Sequence, residues 1–388
     1  MAKNKRDGFK IISKLSYHEL TDETNKPAFY LKRPKLCAIY QLTKTDEIID
    51  AVRLKYFKIP KSYPIDLNKG FETYIFRKQN TPSQQLNKVF KFILEANENI
   101  LRPYSASSTK ANVSKTEEAG SKTHTKPKLV LCQRGVLARL MLIPYRLRGS
   151  QYNDTTVYAT RYCGILHLVD PVQWLSCTKN DSYHGKFEQV CFSDDPHLDP
   201  LTDVPVDDNI TTFGIFRSNI QDFDLIYSAE VSGVTSDHKI IDIRNLEEIN
   251  QCKFIQTKLL WNKENRDILT HPKCLLWWAQ LYLANTNDIC IGRKDRDGVV
   301  RTPAQLIKVQ NMPKNQKWKP SISIRSLITM LTLINETMSN INCPFTVWEF
   351  KFDSYASCIK TKIHRGKTNL SFLPDSYIEK CKYQTRPN

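Results

Sequence analysis

Acidic and basic side chains follow two apolar runs in the middle of the chain. The first run ends at Glu230, and in the second run Asp242 and Arg244 flank Ile243. A polar stretch around Gly233 separates the runs, so we interpret them as adjacent strands of a hairpin-like unit. Because strand side chains alternate between faces, Asp242 and Arg244 are expected on one face of the sheet. Acids beside a cation on adjacent strands indicate a metal-dependent nuclease site.

The order of three short motifs resembles the decapping exoribonuclease (DXO) family. That family carries Glu-x-Asp on one strand, Glu-x-Lys on the next, and Trp-Trp-x-Gln on a helix. Here the corresponding segments are 230–232 (Glu-Val-Ser), 242–244 (Asp-Ile-Arg) and 277–280 (Trp-Trp-Ala-Gln). The resemblance extends from about Pro34 to Asp353. It implies an α+β, DXO-like fold with two mixed β-sheets, flanking helices and a PD-(D/E)xK-nuclease-like core.

Two further segments resemble motifs of the same family. Arg134 matches the arginine of a Trp-Arg-Gly motif, with Gln133 in place of tryptophan, and Glu188 ends a Gly-Tyr-Lys-Phe-Glu motif that begins here with His-Gly. The resemblance implies that Glu188 is a metal-binding position. It also implies that Arg134, Lys186 and Gln280 bind RNA. An exposed arginine without a partner is the alternative interpretation of Arg134.

The substitutions remove ligands that a two-metal hydrolase needs. Such an enzyme holds two Mg²⁺ or Mn²⁺ ions about 3.5–4 Å apart between carboxylates. Ser232 replaces an aspartate, Asp242 is one methylene shorter than glutamate, and Arg244 replaces a compact lysine charge. We therefore predict a pseudoenzyme without a catalytic residue, metal or cofactor. Its degenerate site is predicted to comprise Glu188, Glu230, Ser232, Asp242, Arg244 and Gln280.

Resemblance to a degenerate branch of the DXO family implies a role without catalysis. It implies action with a Rhino-like chromatin protein and a Deadlock-like adaptor at germline piRNA source loci, where nascent precursors escape 5′-end decay, termination and splicing. This hypothesis predicts an exposed apolar patch for a partner. Two alternatives stay open: an active decapping or 5′–3′ exoribonuclease using Mg²⁺ or Mn²⁺, and a stand-alone RNA 5′-end binder.

Composition favours an intracellular, nucleic-acid-associated protein. The 388 residues contain 57 Lys and Arg against 40 Asp and Glu, a net charge of +17 that suits an acidic partner such as RNA or a solvated basic surface. The eleven cysteines include no C-x-x-C pair, which indicates reduced thiols. No apolar run reaches the length of a membrane span. We expect a nuclear protein without a membrane partner.

The chain is predicted to form one domain, 34–353, between a flexible basic arm, 1–33, and a basic tail, 354–388. A Ser/Thr/Lys-rich stretch, 104–128, is predicted to be a mobile loop. The segment 193–208 holds six aspartates and no Lys or Arg, which favours a solvated, proline-stiffened connection over a metal loop. Predicted strands and helices include 36–42, 74–76, 85–96, 129–132, 272–283 and 321–337.

Overall fold

The computed structural model describes most of the chain. The described residues are 8–14, 20, 31–42, 48–49, 53–77, 86, 89–90, 92–93, 100–101, 127–146, 155–171, 178–262 and 273–384. Within them, two mixed sheets and the helices packed on them form an α+β fold. The predicted fold class is confirmed.

The larger sheet contains both parallel and antiparallel pairs, and its strand Lys128–Gln133 runs parallel to both of its neighbours. Its strand order is β1 (Lys10–Lys14), β18 (Cys358–His364), β17 (Val347–Asp353), β7 (Thr155–Tyr162), β8 (Ile165–Val169), β6 (Lys128–Gln133), β11 (Phe223–Glu230), β10 (Thr211–Ile220), β2 (Lys35–Leu42) and β3 (Ile48–Ile49).

The smaller sheet is built around a parallel pair of strands, β13 (Lys253–Trp261) and β14 (Thr286–Lys294). Its order is β5 (Ile65–Asp66), β15 (Val299–Val300), β14 (Thr286–Lys294), β13 (Lys253–Trp261), β12 (Gly233–Thr235), β4 (Tyr56–Phe57) and β9 (Phe192–Ser193), and β16 (Gln305–Lys308) also pairs with β14. β11 belongs to the larger sheet and β12 to the smaller one, so the chain crosses between the sheets at residues 231 and 232.

Helices cover the sheets with their apolar sides. They are α1 (Arg134–Arg146), α2 (Lys179–Cys191), α3 (Leu246–Gln251), α4 (Cys274–Leu283), α5 (Pro320–Thr337) and α6 (Asp375–Gln384). α1 packs against α4 and α5 through buried aliphatic side chains such as Leu137 and Leu140. Proline at the first position of α5 lacks only an N–H that the helix would leave unpaired.

Several predicted elements are confirmed. The strands predicted at 36–42 and 129–132 are β2 and β6, and the helices predicted at 272–283 and 321–337 are α4 and α5. In the predicted helix 85–96, Leu86, Val89, Phe90 and Ile93 are helical and buried, while Leu94 lies outside the described residues.

Other predictions are wrong. Residues 240–243 form no strand, and Ile241 is 92% exposed. The predicted strand 74–76 reduces to one bridge between Ile75 and Asp207 after a 3-10 turn, Phe71–Thr73. The predicted basic tail contains β18 and α6, and β1 of the predicted arm pairs with β18. The predicted loop 104–128 lies outside the described residues except for its last two, which include the start of β6.

Every cysteine among the described residues is a free thiol. No helix found there is long and apolar enough to cross a membrane.

A neutral histidine lies in the core between the larger sheet and α6. The His167 ring is fully buried, and its Nε2 lies 2.9 Å from the Tyr377 hydroxyl and its Nδ1 3.3 Å from the Thr160 carbonyl oxygen. Because a carbonyl only accepts, Nδ1 carries the proton and Nε2 accepts the Tyr377 hydroxyl. Burial lowers the pKa of His167 to about 3.

This histidine is expected to destabilise the fold in mild acid. The folded state excludes a proton that the unfolded state takes up below about pH 6.5, so stability falls as the pH drops from there toward about 3. The slope from this group is at most about 1.4 kcal/mol per pH unit. Urea unfolding of wild type and of His167→Gln between about pH 6.5 and about pH 3 measures this loss of stability. If the free energy of unfolding falls equally with pH in both proteins, His167 is not the buried neutral histidine described here.

Candidate functional site

The end of β11 places Glu230 beside the start of α1. β11 runs parallel to β6, with Ser228 opposite Gln133, the last residue of β6. Arg134 follows at once as the first residue of α1 and is half-buried. Its Nη1 is buried and has no hydrogen-bond partner among the described residues. An unpartnered buried N–H of this kind is a donor that an anion can satisfy.

β13 brings two polar side chains to the same place. Gly233 pairs with Ile255 in the antiparallel β12–β13 ladder, so continuing the register by one residue sets Ser232 opposite Gln256. Gln256 is buried and its Nε2 donates to the Glu230 carbonyl oxygen at 3.1 Å. Lys258 lies two residues further along and therefore shares its face of the strand.

α2 supplies the second carboxylate. The helix begins where the Asp181 carboxylate accepts the Thr178 N–H at 2.7 Å, as in a capping box. His184 and Glu188 are one turn apart and face the same way. His184 Nε2 lies 3.1 Å from the Thr257 carbonyl oxygen, which ties the helix to β13. Glu188 is half-buried and interacts electrostatically with Lys258 and Asp208.

A third cation comes from the segment that follows the 3-10 turn Phe71–Thr73. Arg77 Nη2 lies 3.7 Å from Glu230 Oε1, and Arg77 Nε donates to the Asp208 carbonyl oxygen at 3.0 Å. The same guanidinium donates to the Thr211 hydroxyl at the start of β10. Arg77 thereby joins Glu230 to the segment that carries Asp208.

The charges of this group shift one another's pKa values. Burial raises the pKa of Glu230, but Arg77, Arg134 and Lys258 together outweigh burial and leave that pKa below its usual value. Burial, with Arg134 adding to it, lowers the pKa of Lys258. Burial lowers the pKa of Arg134 despite the nearby Glu230. Glu230 is therefore held as a carboxylate by three surrounding cations.

Asp208 behaves in the opposite way. Burial raises its pKa, and the neighbouring carboxylates of Glu230 and Glu188 act in the same direction, against Tyr74 and Arg77. An acid with a raised pKa is a poorer metal ligand, because a ligand has to give up its proton to bind.

A glycine on α2 makes room for the Tyr74 ring. A Cβ at Gly185 would lie 2.2 Å from the Tyr74 hydroxyl oxygen and 3.0 Å from Asp208 Oδ1. The first distance is far below any van der Waals contact, so only glycine fits at this position while the tyrosine stays in place. The Tyr74 ring thus packs between the helix and Asp208.

The structure unites some of the predicted site residues and separates others. Glu188, Glu230 and Arg134 come together as expected, since all three interact electrostatically with Lys258, and Ser232 follows Glu230 by two residues. Asp242 and Arg244 do not, since both are exposed in the turn before α3, where Asp242 Oδ1 accepts the Arg244 backbone N–H at 2.9 Å. Their prediction as a strand beside Glu230 is wrong.

The two remaining predicted RNA-binding residues have different surroundings. Lys186 is two residues from Glu188 and points to another side of α2, where its Nζ donates to Gln189 Oε1 and to the Thr202 carbonyl oxygen, both at 2.8 Å. This lysine fixes a neighbouring segment and does not join Glu230. Gln280 is half-buried on α4, beside the buried Trp277 and Trp278. Its RNA-binding role stays a prediction.

Sequence reasoning missed four residues of the group: Arg77, Asp208, Gln256 and Lys258. The family's Glu-x-Lys pattern falls at 256–258, Gln-Thr-Lys, and keeps the lysine that 242–244 lacks. That lysine was the signal that could have found the strand. Nothing in the local sequence of Arg77 or Asp208 pointed to the site.

The group does not fit the divalent metal ions that the resemblance implies. The described residues contain no cluster of three or more His, Cys, Asp or Glu arranged to hold a metal ion. Ser232 and Gln256 place a hydroxyl and an amide where the pattern has carboxylates, which are the ligands that hard dications prefer. Glu230 is instead surrounded by the cations of Arg77, Arg134 and Lys258.

Comparison with known proteins identifies the family. The model described as "RAI1 like PD-(D/E)XK nuclease" matches residues 32–378. The chain belongs to this family. Among curated members of the RAI1-like family, it is 23% identical over 379 residues to the decapping and exoribonuclease protein Rai1 of Drosophila melanogaster, covering 94% of this chain and 96% of that protein.

A second similarity in the RAI1-like family is shorter. The chain is 27% identical over 121 residues to Protein cutoff of Drosophila melanogaster, which covers 31% of this chain and 30% of that protein. Solved structures agree in fold. Candida albicans Rai1 in complex with pU5-Mn²⁺ superposes with a TM-score of 0.69 at 13% identity, over 96% of this chain and 99% of that one.

Proposed function

We propose that this protein is a non-catalytic member of the RAI1-like family that holds RNA 5′ ends. The observation that carries the proposal is the bond from the Gln256 amide to the Glu230 backbone, at a position where the family pattern has an acid, while Arg134 and Lys258 remain beside Glu230. Ser232 replaces a second acid of that pattern. Losing carboxylates removes metal affinity, whereas keeping the cations retains affinity for phosphate.

The proposed biological setting follows from the similarity to Protein cutoff. The protein acts in the nucleus at germline piRNA source loci, with a Rhino-like chromatin protein and a Deadlock-like adaptor. There it protects nascent precursor transcripts from 5′-end decay, premature termination and splicing. The net charge of +17 supports contact with RNA.

An active metal-dependent decapping or 5′–3′ exonuclease is the second candidate. Asp208 favours it, because this acid interacts with both Glu188 and Glu230 and so supplies a third carboxyl group. Its raised pKa and its neighbour Arg77 argue against metal binding. The two candidates differ in whether RNA is cut.

RNA with a 5′-monophosphate, a 5′-triphosphate or a cap is expected to be retained and left uncut, with or without Mn²⁺. Arg134→Ala is expected to weaken retention of the phosphorylated RNAs by about tenfold or more, because a charge-assisted bond contributes about 1.5–3 kcal/mol. Filter binding and gel analysis of 5′- and 3′-labelled RNA measure retention and cleavage separately.

Arg244→Ala is the matched control, since it removes the same charge from an exposed turn. Its retention is expected to equal that of wild type, and thermal unfolding shows whether both variants are folded. Mn²⁺-dependent cleavage that Glu230→Ala abolishes would establish the enzyme instead. If Arg134→Ala and Arg244→Ala weaken RNA retention equally, RNA binding depends on overall charge and not on the Arg134 pocket.

A further inference from the structure

Two cysteines from distant parts of the sequence meet where α6 packs on the β7–β8 hairpin. Cys163 and Gly164 form the turn between the two strands, and both have positive φ, 50° and 75°. Cys381 lies on α6 and is buried. The Cys163 and Cys381 thiols are hydrogen-bonded to each other, and neither sulfur is in a disulfide. The two residues are therefore a contacting pair of reduced thiols.

Hydrogen bonds around the pair hold α6 on the hairpin. The Tyr162 hydroxyl donates to the Ile378 carbonyl oxygen at 3.1 Å, and His167 accepts the Tyr377 hydroxyl at 2.9 Å. Tyr377 and Cys381 are four residues apart on the helix, so they share the face that meets the hairpin. Because the Tyr377 hydroxyl donates to His167, it accepts the Cys381 thiol proton. Contacts to both strands thus fix Cys381 beside the turn.

The two thiols differ in their access to solvent. Cys163 is half-buried in its turn. Cys381 is buried, and burial raises its pKa to about 12, so its thiol stays protonated. Cys163 is therefore the sulfur that a dissolved oxidant reaches, with Cys381 placed to react next. An accessible thiol beside a second, resolving thiol is the arrangement found in cysteines that oxidise reversibly.

We propose that Cys163 and Cys381 form a modification site for hydrogen peroxide, which joins them in a reversible disulfide that fastens α6 to the β7–β8 hairpin. The Cys163 thiolate attacks peroxide, so that an S–O bond forms, the O–O bond breaks and hydroxide leaves, taking up the proton that the thiol lost. The Cys381 sulfur then attacks the sulfenic acid, forming the S–S bond and breaking the S–O bond. Its proton leaves with the hydroxyl group as water. Two electrons pass from the sulfurs to peroxide, which becomes two molecules of water.

A second pair of thiols in the same fold serves as an internal comparison. Cys191, the last residue of α2, and Cys290 on β14 are also hydrogen-bonded to each other. Both are fully buried, so a dissolved oxidant reaches neither sulfur. We therefore expect no disulfide between them, and the comparison separates the effect of access from the effect of proximity.

Limited treatment of the folded full-length chain with hydrogen peroxide, followed by blocking of the remaining thiols with N-ethylmaleimide, tests the proposal. Mass spectrometry of the unreduced peptides is expected to show Cys163 joined to Cys381 with the loss of two hydrogen atoms, and dithiothreitol is expected to separate them. Cys191 and Cys290 are expected to stay unlinked. The treatment is also expected to raise the unfolding temperature of wild type by about 2–5 °C, because the link restricts the unfolded chain.

Cys343→Ser is the matched control, since it removes another half-buried thiol. It is expected to keep the link and the temperature shift, whereas Cys163→Ser and Cys381→Ser are each expected to lose both. Thermal unfolding before the treatment shows that the variants are folded. In Cys381→Ser the Cys163 sulfenic acid lacks its resolving thiol, and dimedone is expected to label it.

Two results would overturn the proposal. The first is the absence of the link between Cys163 and Cys381 from folded, peroxide-treated wild type. The second is equal dimedone labelling of Cys163 in wild type and in Cys381→Ser, which would show that Cys381 does not react with the oxidised sulfur. Neither result depends on RNA binding, so the proposal is tested independently of the RNA-holding function.

Discussion

Ser232→Asp combined with Gln256→Glu is expected to give the protein a Mn²⁺ affinity that wild type lacks. Gln256 bonds to the Glu230 backbone, Ser232 follows Glu230 by two residues, and Glu188 interacts with the same Lys258 as Glu230 does. The double variant therefore adds two carboxylates to those of Glu230 and Glu188, and carboxylate oxygens are the ligands that such dications prefer. RNA cleavage is then expected to rise by on the order of 10²-fold or more above that of wild type, the size of effect that positioning one reacting group produces.

Isothermal titration with Mn²⁺ and cleavage of 5′-monophosphorylated RNA measure the two effects. Thermal unfolding adds a third readout that does not depend on turnover. The carboxylate introduced by Gln256→Glu would face the Glu230 carbonyl oxygen to which the Gln256 amide now donates, so without metal the variant is expected to be less stable than wild type. Mn²⁺ should then raise the unfolding temperature of the variant alone, by mass action on the folded state.

Asp242→Glu/Arg244→Lys is the matched control for this experiment. It restores the Glu-x-Lys pattern at the position suggested by sequence alone, in a turn that the structure leaves exposed. We expect neither metal affinity nor cleavage from it. Gain of Mn²⁺ binding in the control, or none in the Ser232/Gln256 variant, would contradict the site as described.

Asp224→Ala is expected to destabilise the fold by about 3–5 kcal/mol, the cost of leaving one buried charge without its partner. Asp224 and Arg217 lie on the β10–β11 hairpin with side chains 1% and 10% exposed, and Arg217 Nε donates to Asp224 Oδ1 at 2.9 Å. A second bond joins Arg217 Nη2 to Asp224 Oδ2, so the pair is bidentate. Removing the Asp224 carboxylate leaves the Arg217 guanidinium buried without that counter-charge, in the strand pair whose second strand ends at Glu230.

Urea unfolding of Asp222→Ala provides the comparison. Asp222 lies in the turn of the same hairpin and pairs with Lys128 at 3.6 Å, with the two side chains 62% and 40% exposed. Loss of that exposed pair is expected to cost about 0–1 kcal/mol. If both variants lose a similar free energy of unfolding, the buried pair contributes no more to stability than the exposed pair does.

The resemblance of the motifs to the DXO family implied the α+β class, and the ends of long elements could be predicted because their apolar patterns are regular. β2, β6, α4 and α5 all have apolar runs or faces that match their burial. The sequence failed at β13, whose apolar residues are interrupted by Gln256, Thr257 and Lys258. Gln256 and Lys258 interact with Glu230, which is distant in the sequence. Because these interactions depend on the tertiary structure, the local sequence pattern does not predict them.

At 240–243 the error is the opposite one, because the local sequence has a strand pattern but the structure has no strand. Three isoleucines in four residues give a strong strand pattern, yet Ile241 is exposed and only Ile240 is buried. Arg77 and Asp208 were missed because the chain brings them to Glu230 from distant positions. Glu188, Glu230 and Arg134 could be predicted because each belongs to a recognisable motif, and Glu230 and Arg134 also end and begin regular elements.

The packing of Tyr74 against Gly185 makes the two positions sterically dependent on each other. The resembled family motif has tyrosine at position 185, and a Cβ there would lie 2.2 Å from the Tyr74 hydroxyl oxygen. A side chain at position 185 therefore requires the Tyr74 ring to move, and with it the hydrogen bond that lowers the pKa of Asp208. The absence of a single Cβ on α2 thus sets the charge balance of an acid on another segment.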